Sequence, residues 1–420
     1  MKRTVSLLLS LLLLASCAAG NAPEETAQTA APAQQESPPS GDAETEEEDG
    51  RICPVPDVTY EGKDFRVVYP SGTGSYCVTD AFAEELTGEV VNDAVYNRNL
   101  LMESKFGFRF VPLSEADTEN FAMEDYMSGS GGYDVLFGSM ANSFPLALRH
   151  YYYDWDKLEY VSTDDPWWDS NIRRDLELAG HLYVMAGDII TQPMAYARFI
   201  YFNKGIIDEY SLEFPYDKVR EGTWTMEEMT KMVAAVSTDL NGDGKFTADD
   251  RLGLLKESPD FFLAGCGVYY TENDADGIPQ IACVNEHTIA AIEAVHAMFD
   301  LPNCTLSFND ASAGRDMSGY QHKYEYVRSV FYATGHFLFV QNGASEAPLF
   351  RDMDPGYGVL PNPKLDEAQD SYSHLFDPYS CAIFLPAAPA DTEMTDILLT
   401  AWAFYSDELV DGYYEKTLKY

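Results

Sequence analysis

The 420-residue sequence predicts an α/β fold built as two lobes. Three observations carry the prediction. Short runs of branched aliphatic and aromatic residues recur from residue 64 onward, bounded by Gly, Pro, Asn or Asp. Helical stretches separate them, the order expected of parallel sheets covered by helices. About 370 residues follow Gly50, more than a single hydrophobic core ordinarily serves.

The N-terminus reads as an export signal. Lys2 and Arg3 give a positive start, Leu7 to Leu14 an apolar core, and Ala15 and Ser16 a small-residue cleavage site. An apolar run this short is about half of what a bilayer core requires. Leu14-Ala15-Ser16-Cys17 resembles the bacterial lipobox. That resemblance implies removal of residues 1–16 and a diacylglycerol thioether on Cys17. Acyl chains there would anchor the chain on the outer face of the cell membrane, in the periplasm if the host is Gram-negative. Residues 17–59 then read as a disordered tether. Up to Gly50 it is rich in Ala, Pro, Gln, Ser, Thr and Glu and holds no aromatic residue, so it cannot offset its ordering entropy by burial.

Composition narrows the function classes. The net charge is −42, which repels phosphate backbones and anionic headgroups and argues against a nucleic-acid partner. Besides Cys17 there are Cys53, Cys77, Cys266, Cys283, Cys304 and Cys381. Six thiols in an exported chain permit disulfides, but spacing leaves about 15 pairings open. No C-x-x-C, G-x-S-x-G, H-E-x-x-H or phosphate-binding loop occurs, and the seven histidines are scattered. Carboxylate pairs suited to glycan hydrolysis cannot be singled out among 69 acidic residues. No catalytic motif therefore marks an enzyme, and no organic cofactor is expected. A surface glycan-active enzyme, or an adhesin or sensor, stays open on these residues alone.

Strands are expected at Asp64 to Tyr69, Phe108 to Pro112, Tyr133 to Gly138, Leu182 to Ala186, Arg198 to Asn203, His336 to Val340, Tyr357 to Leu360 and Cys381 to Leu385. Helices are expected at Asp93 to Phe106, Gly205 to Tyr210, Glu286 to Phe299 and Met394 to Tyr405. The second long helix should bury Ile289, Ile292, Val295 and Phe299. Thr225 with Glu228 forms a capping box opening another helix, with Trp224 as its anchor.

Several of these segments, in this order and downstream of a lipobox, resemble extracellular solute-binding proteins of ABC importers, the sugar-binding family 1-like branch. They are Tyr133 to Ser139 (YDVLFGS), Pro166 to Asp169 (PWWD), His181 to Asp188 (HLYVMAGD), Tyr201 to Lys204 (YFNK), Gly222 to Thr225 (GTWT), Asp239 to Leu254 (DLNGDGKFTADDRLGL) and Tyr357 to Lys364 (YGVLPNPK). The resemblance implies a type II periplasmic-binding-protein-like fold with several hinge crossings and a ligand cleft between lobes. It implies a monomer that hands a small solute, most plausibly a sugar, to membrane permease subunits. Mapped here, lobe one is 60–197 plus 341–388 and lobe two is 198–340 plus 389–420. The chain ends at Tyr420, sooner after YGVLPNPK than the resemblance leads one to expect, so a final helix is expected to be missing.

Two sets of site residues follow. Asp239 to Asp250 matches the spacing of a calcium loop, with Asp239, Asn241, Asp243, the Lys245 carbonyl and Asp250 as ligands and Gly244 at the sharp turn. Such an ion would be structural, and aspartate at the last position reaches less far than glutamate. Ligands in open α/β sheets bind beyond strand ends. That rule selects Ser139, Met140, Asn142, Asp188, Gln341, Asn342, Asp377 and Tyr379.

Overall fold

The computed structural model describes residues 51–71, 80–320, 323–354 and 356–419. The export signal, Cys17, the tether up to residue 50 and Cys77 lie outside the described residues. In chain order the strands are β1 (Asp64–Pro70), β2 (Arg109–Glu115), β3 (Val135–Ser139), β4 (Arg198–Asn203), β5 (Ser237–Thr238), β6 (Arg251–Lys256), β7 (Thr271–Asn273), β8 (Pro279–Ile281), β9 (Thr305–Ser307), β10 (Phe337–Gly343), β11 (Tyr357–Leu360) and β12 (Cys381–Phe384).

Two sheets organise the compact unit Cys53–Tyr420. One has the order β12-β3-β1-β2, and the other β11-β4-β10-β6-β5 with β9 beside β6. In the first, β1, β2 and β3 are parallel and β12 runs against β3. In the second, β10 is parallel to β6 and antiparallel to β4. Strands covered on both faces read as unbroken apolar runs. This explains why YDVLFGS and HFLFVQNG stand out: every residue of β3 and of β10 is buried. Each sheet has its own core, one around Phe65, Leu136, Phe137 and Trp402, the other around Trp224, Phe262 and Phe339. Trp224 is fully buried and donates its indole N–H to the Pro361 carbonyl, so it anchors as expected.

The lobe boundaries differ from the sequence expectation. β10 and β11 both hydrogen-bond to β4, so 341–360 belongs to the second lobe rather than the first. Conversely, the helix Thr392–Phe404 packs Ile397, Leu398, Leu399 and Trp402 into the first core, so this helix belongs to the first lobe rather than the second. Its buried Asp396 accepts hydrogen bonds from the backbone N–H of Glu159, Tyr160 and Val161. Long-range ladders of this kind are not encoded in local apolar pattern. By sheet membership the chain crosses between lobes once before β4 and once between β11 and β12.

Smaller differences have local causes. Leu182 to Ala186 is not a strand: only Met185 bridges, to Ile383. The helix Glu286–Phe299 buries Thr288, Ala291, Val295 and Met298, leaving Ile289 and Ile292 exposed. Small residues at its contact let it lie against the helix Met226–Ala235. Half of the capping box forms: Thr225 accepts from the Glu228 N–H, while the Glu228 carboxylate turns to Lys218 and Lys231. Cys381 is disulfide-bonded, whereas Cys266, Cys283 and Cys304 are free.

Asp396→Ala removes one acceptor group from three N–H donors. At roughly 1–3 kcal/mol per orphaned buried donor, the variant should lose about 3 kcal/mol or more in urea unfolding. Asp396→Asn, which keeps one carbonyl oxygen, should recover part of the loss.

Candidate ligand cleft between the sheets

Strand direction decides which residues share an edge. Arg198 opens β4 and pairs with Gly343 at the end of β10, because the two strands run oppositely. Glu257 follows the end of β6, which runs with β10. In the first sheet, Ser139 at the end of β3 pairs with Cys381 at the start of β12. The crossing segments touch where Ala197 bridges Phe376, which brings these two edges together.

Arg198 joins them. Its guanidinium lies 2.5 Å from Asp377 Oδ2, 3.4 Å from Glu257 Oε2 and 3.4 Å from Asn342 Oδ1. It also sits 4.7 Å from the centre of the Phe261 ring. These side chains are largely shielded from water, so the pairing is stronger than a surface salt bridge and its rupture more costly.

The sequence-derived residues fall into three groups. Ser139 and Met140 meet the segment before β12: the Met140 N–H donates to the Ser380 carbonyl, and Ala141 N–H to that of Pro378. Asp377 caps that segment through the N–H groups of Tyr379 and Ser380 and takes Arg198 across the seam. Gln341 and Asn342 are buried in β10, and Gln341 Nε2 donates to Asn362 Oδ1. Asn142 and Tyr379 are exposed. The Asp188 N–H donates to the Trp167 carbonyl.

Several buried atoms at this seam find no hydrogen-bond partner among the described residues: Ser139 Oγ, Ser380 Oγ, Gln341 Oε1, Asn342 Nδ2, Arg198 Nε and Glu346 Oε2. Glu346 also pairs with Arg328, and burial raises its carboxyl above the usual range. Beside it, a cavity of about 400 Å³ is lined by Asp80, Thr191, Ser345, Pro348, Tyr413 and Lys416, among others. It brings together the chain just after β1, the segment after β10 and the C-terminal residues.

The sequence reading missed Arg198, Glu257 and Ser380. It looked mainly past strand ends, whereas Arg198 begins an antiparallel strand and so reaches the same edge from the other direction. An arginine opening the apolar run RFIYFN was the available signal.

Asp188 has no counter-ion or side-chain hydrogen bond among the described residues. Burial alone pushes its carboxyl up to about 6.

The loop Asp239 to Asp250 folds around its own amides. Asp239 accepts from Gly242 and Gly244, Asn241 from Asp243, and Asp243 from Lys245. The fully buried Asp250 accepts from Leu240 and Thr247. Gly242 and Gly244 have φ of 74° and 75°, which the tight turn requires. The donors suit a hard cation by type. Among the described residues, however, no three His, Cys, Asp or Glu side chains gather into a metal-sized group.

Comparison with solved structures finds the same architecture. A cyclo/maltodextrin-binding protein complexed with maltotetraose matches with a TM-score of 0.52 at 14% identity, over 86% of this chain and 79% of that one. The maltose/maltodextrin-binding domain MalE from Bdellovibrio bacteriovorus, bound to maltotriose, gives 0.50 at 14% identity, over 84% and 79%. UspC of M. tuberculosis gives 0.50 at 14% identity, over 81% and 77%. No family model matches the chain, and no curated protein does. At these identities the likeness is one of fold. It bears out the expected type II periplasmic-binding-protein-like fold with two lobes.

The Asp188 environment has a pH consequence. A carboxyl raised in the folded state stabilises fully below its unfolded value near 4, and that stability is lost as pH rises through about 6. Asp188→Asn should therefore melt above the parent at pH 7.5, and the difference should vanish by pH 4. An equal difference at both pH values would mean that Asp188 is ordinarily solvated.

Proposed function

We propose that this chain is the solute-binding component of an ABC importer, capturing a carbohydrate between its lobes and delivering it unchanged to membrane permease subunits. The observation that carries the reading is the set of unpartnered buried atoms at the seam, which contains both donors and acceptors. Each costs roughly 1–3 kcal/mol if left unsatisfied. A polyhydroxylated ligand supplies partners of both kinds, since every hydroxyl donates once and accepts twice. The shared fold with proteins solved in complex with maltotetraose and maltotriose supports the same class.

Two further parts belong to this reading. Residues 1–16 are an export signal and Cys17 carries the lipid that holds the protein at the outer face of the membrane. The 239–250 loop takes calcium through Asp239, Asn241, Asp243, the Lys245 carbonyl and Asp250. Its role there is to pin the entry into β6, because Asp250 immediately precedes that strand.

The test uses residues 18–420, which hold the whole compact unit. Thermal melting with a panel of oligosaccharides, amino acids and peptides should show one sugar class raising the midpoint by several degrees. A ligand at 100 times its dissociation constant adds about 2.7 kcal/mol. The ligand should be recovered chemically intact. Silence across all sugars with a hit among peptides would overturn the carbohydrate assignment. In the same assay chelation should lower the midpoint and calcium restore it, whereas a calcium-independent midpoint would leave the loop as a turn only. Separately, Cys17→Ser in the full-length chain should move the protein from the membrane fraction into the soluble fraction of the cells and medium.

A further inference from the structure

Strands β7 and β8 are exposed along their whole length. A two-stranded hairpin that buries nothing is marginal on its own. Its turn is held locally: Asp274 accepts from the N–H of Asp276 and Ile278 and from Gln280 Nε2. Its base is rooted in the second lobe. Val268 lies in the second core, and the Tyr270 hydroxyl donates to Asp260 at 2.9 Å, just beyond β6.

Its far end lands on the other lobe. Asn273 Nδ2 donates to the Glu177 carbonyl at 3.2 Å, and the Ala179 N–H donates to the Gly277 carbonyl at 2.8 Å. The Arg174 guanidinium lies 5.9 Å from the Tyr269 ring. The receiving segment follows the helix Asn171–Leu176, whose Ile172 is part of the first core. The approach is close. A Cβ on Gly277 would stand 3.0 Å from the Gly180 nitrogen and 3.2 Å from Ala179 Cα, and Gly277 has a φ of 74°.

We infer that this hairpin is an interlobe strap that favours the closed arrangement of the lobes before any ligand arrives. Its contacts join elements of different lobes, so opening breaks them and closing restores them. They therefore shift the closed-to-open ratio directly. Two hydrogen bonds and a cation–aromatic contact correspond to a shift of roughly ten- to a hundredfold. If the closed state is the tight-binding one, apparent solute affinity moves by the same factor. The closure itself rests only on the fold and needs no ligand.

Two variants of residues 18–420 bracket the strap. Asn273→Ala with Gly277→Ala releases it. Glu177→Cys with Asn273→Cys, in a Cys283→Ser background and joined by a short bismaleimide, fastens it. Small-angle scattering without ligand should give a larger radius of gyration for the released form than for the fastened one, with the parent nearer the fastened form. Asn273→Ala alone, which leaves the turn untouched, should shift the radius in the same direction by less. The inference is overturned if the released and fastened forms coincide, or if the parent coincides with the released form. An expanded released form that binds no sugar would keep the strap and discard the carbohydrate reading. A sugar affinity unchanged by release, with unchanged radius, would do the reverse.

Discussion

Arg198 is the interaction on which the two lobes depend for their relation to each other. One guanidinium is shared by Asp377 from the first lobe's return segment and Glu257 from the second lobe's β6 edge. Charges this shielded are stable only when paired and correctly placed, so the group tolerates few geometries. The backbone supports it: the bridge Ala197–Phe376 and the bond from Ala344 N–H to the Ala197 carbonyl hold the crossing strands beside it. An apolar hinge would allow sliding. A shared guanidinium with directional bonds fixes the relation of the lobes at this point.

Much of this fold was legible because buried parallel strands leave unbroken apolar runs, as in YDVLFGS and HFLFVQNG. What was not legible is what the chain decides over long distances. Tyr357 to Leu360 reads as a strand, but only its ladder to Ile200–Asn203 says which lobe owns it. The helix Thr392–Phe404 reads as part of the second lobe until Asp396 meets Glu159, Tyr160 and Val161. Helical periodicity also selected the larger side chains, Ile289 and Ile292, where close packing selected Thr288 and Ala291.

The site shows the same division. The strand-end rule located Ser139, Gln341, Asn342 and Asp377 at the seam, and it missed Arg198 because a residue at the start of an antiparallel strand occupies the same edge. Asp188 was selected by the same rule, and burial alone perturbs its carboxyl. Asn142 and Tyr379 satisfy the rule and remain exposed, since the direction of a side chain beyond a strand is set by the turn that follows.

Magnitudes then explain why such a cleft should answer to a ligand. Several unpartnered buried atoms at the seam, at roughly 1–3 kcal/mol each, oppose closure around nothing. Water entering an open cleft removes that cost, so opening is favoured there. The strap pulls the other way with two hydrogen bonds, each contributing about 1 kcal/mol. The two terms are opposite in sign, and the strap offsets part of the seam's cost in the free protein. A solute rich in hydroxyls cancels the first term without touching the second. Its differential interaction with the closed state therefore carries the whole shift, which is the condition for capture by closure.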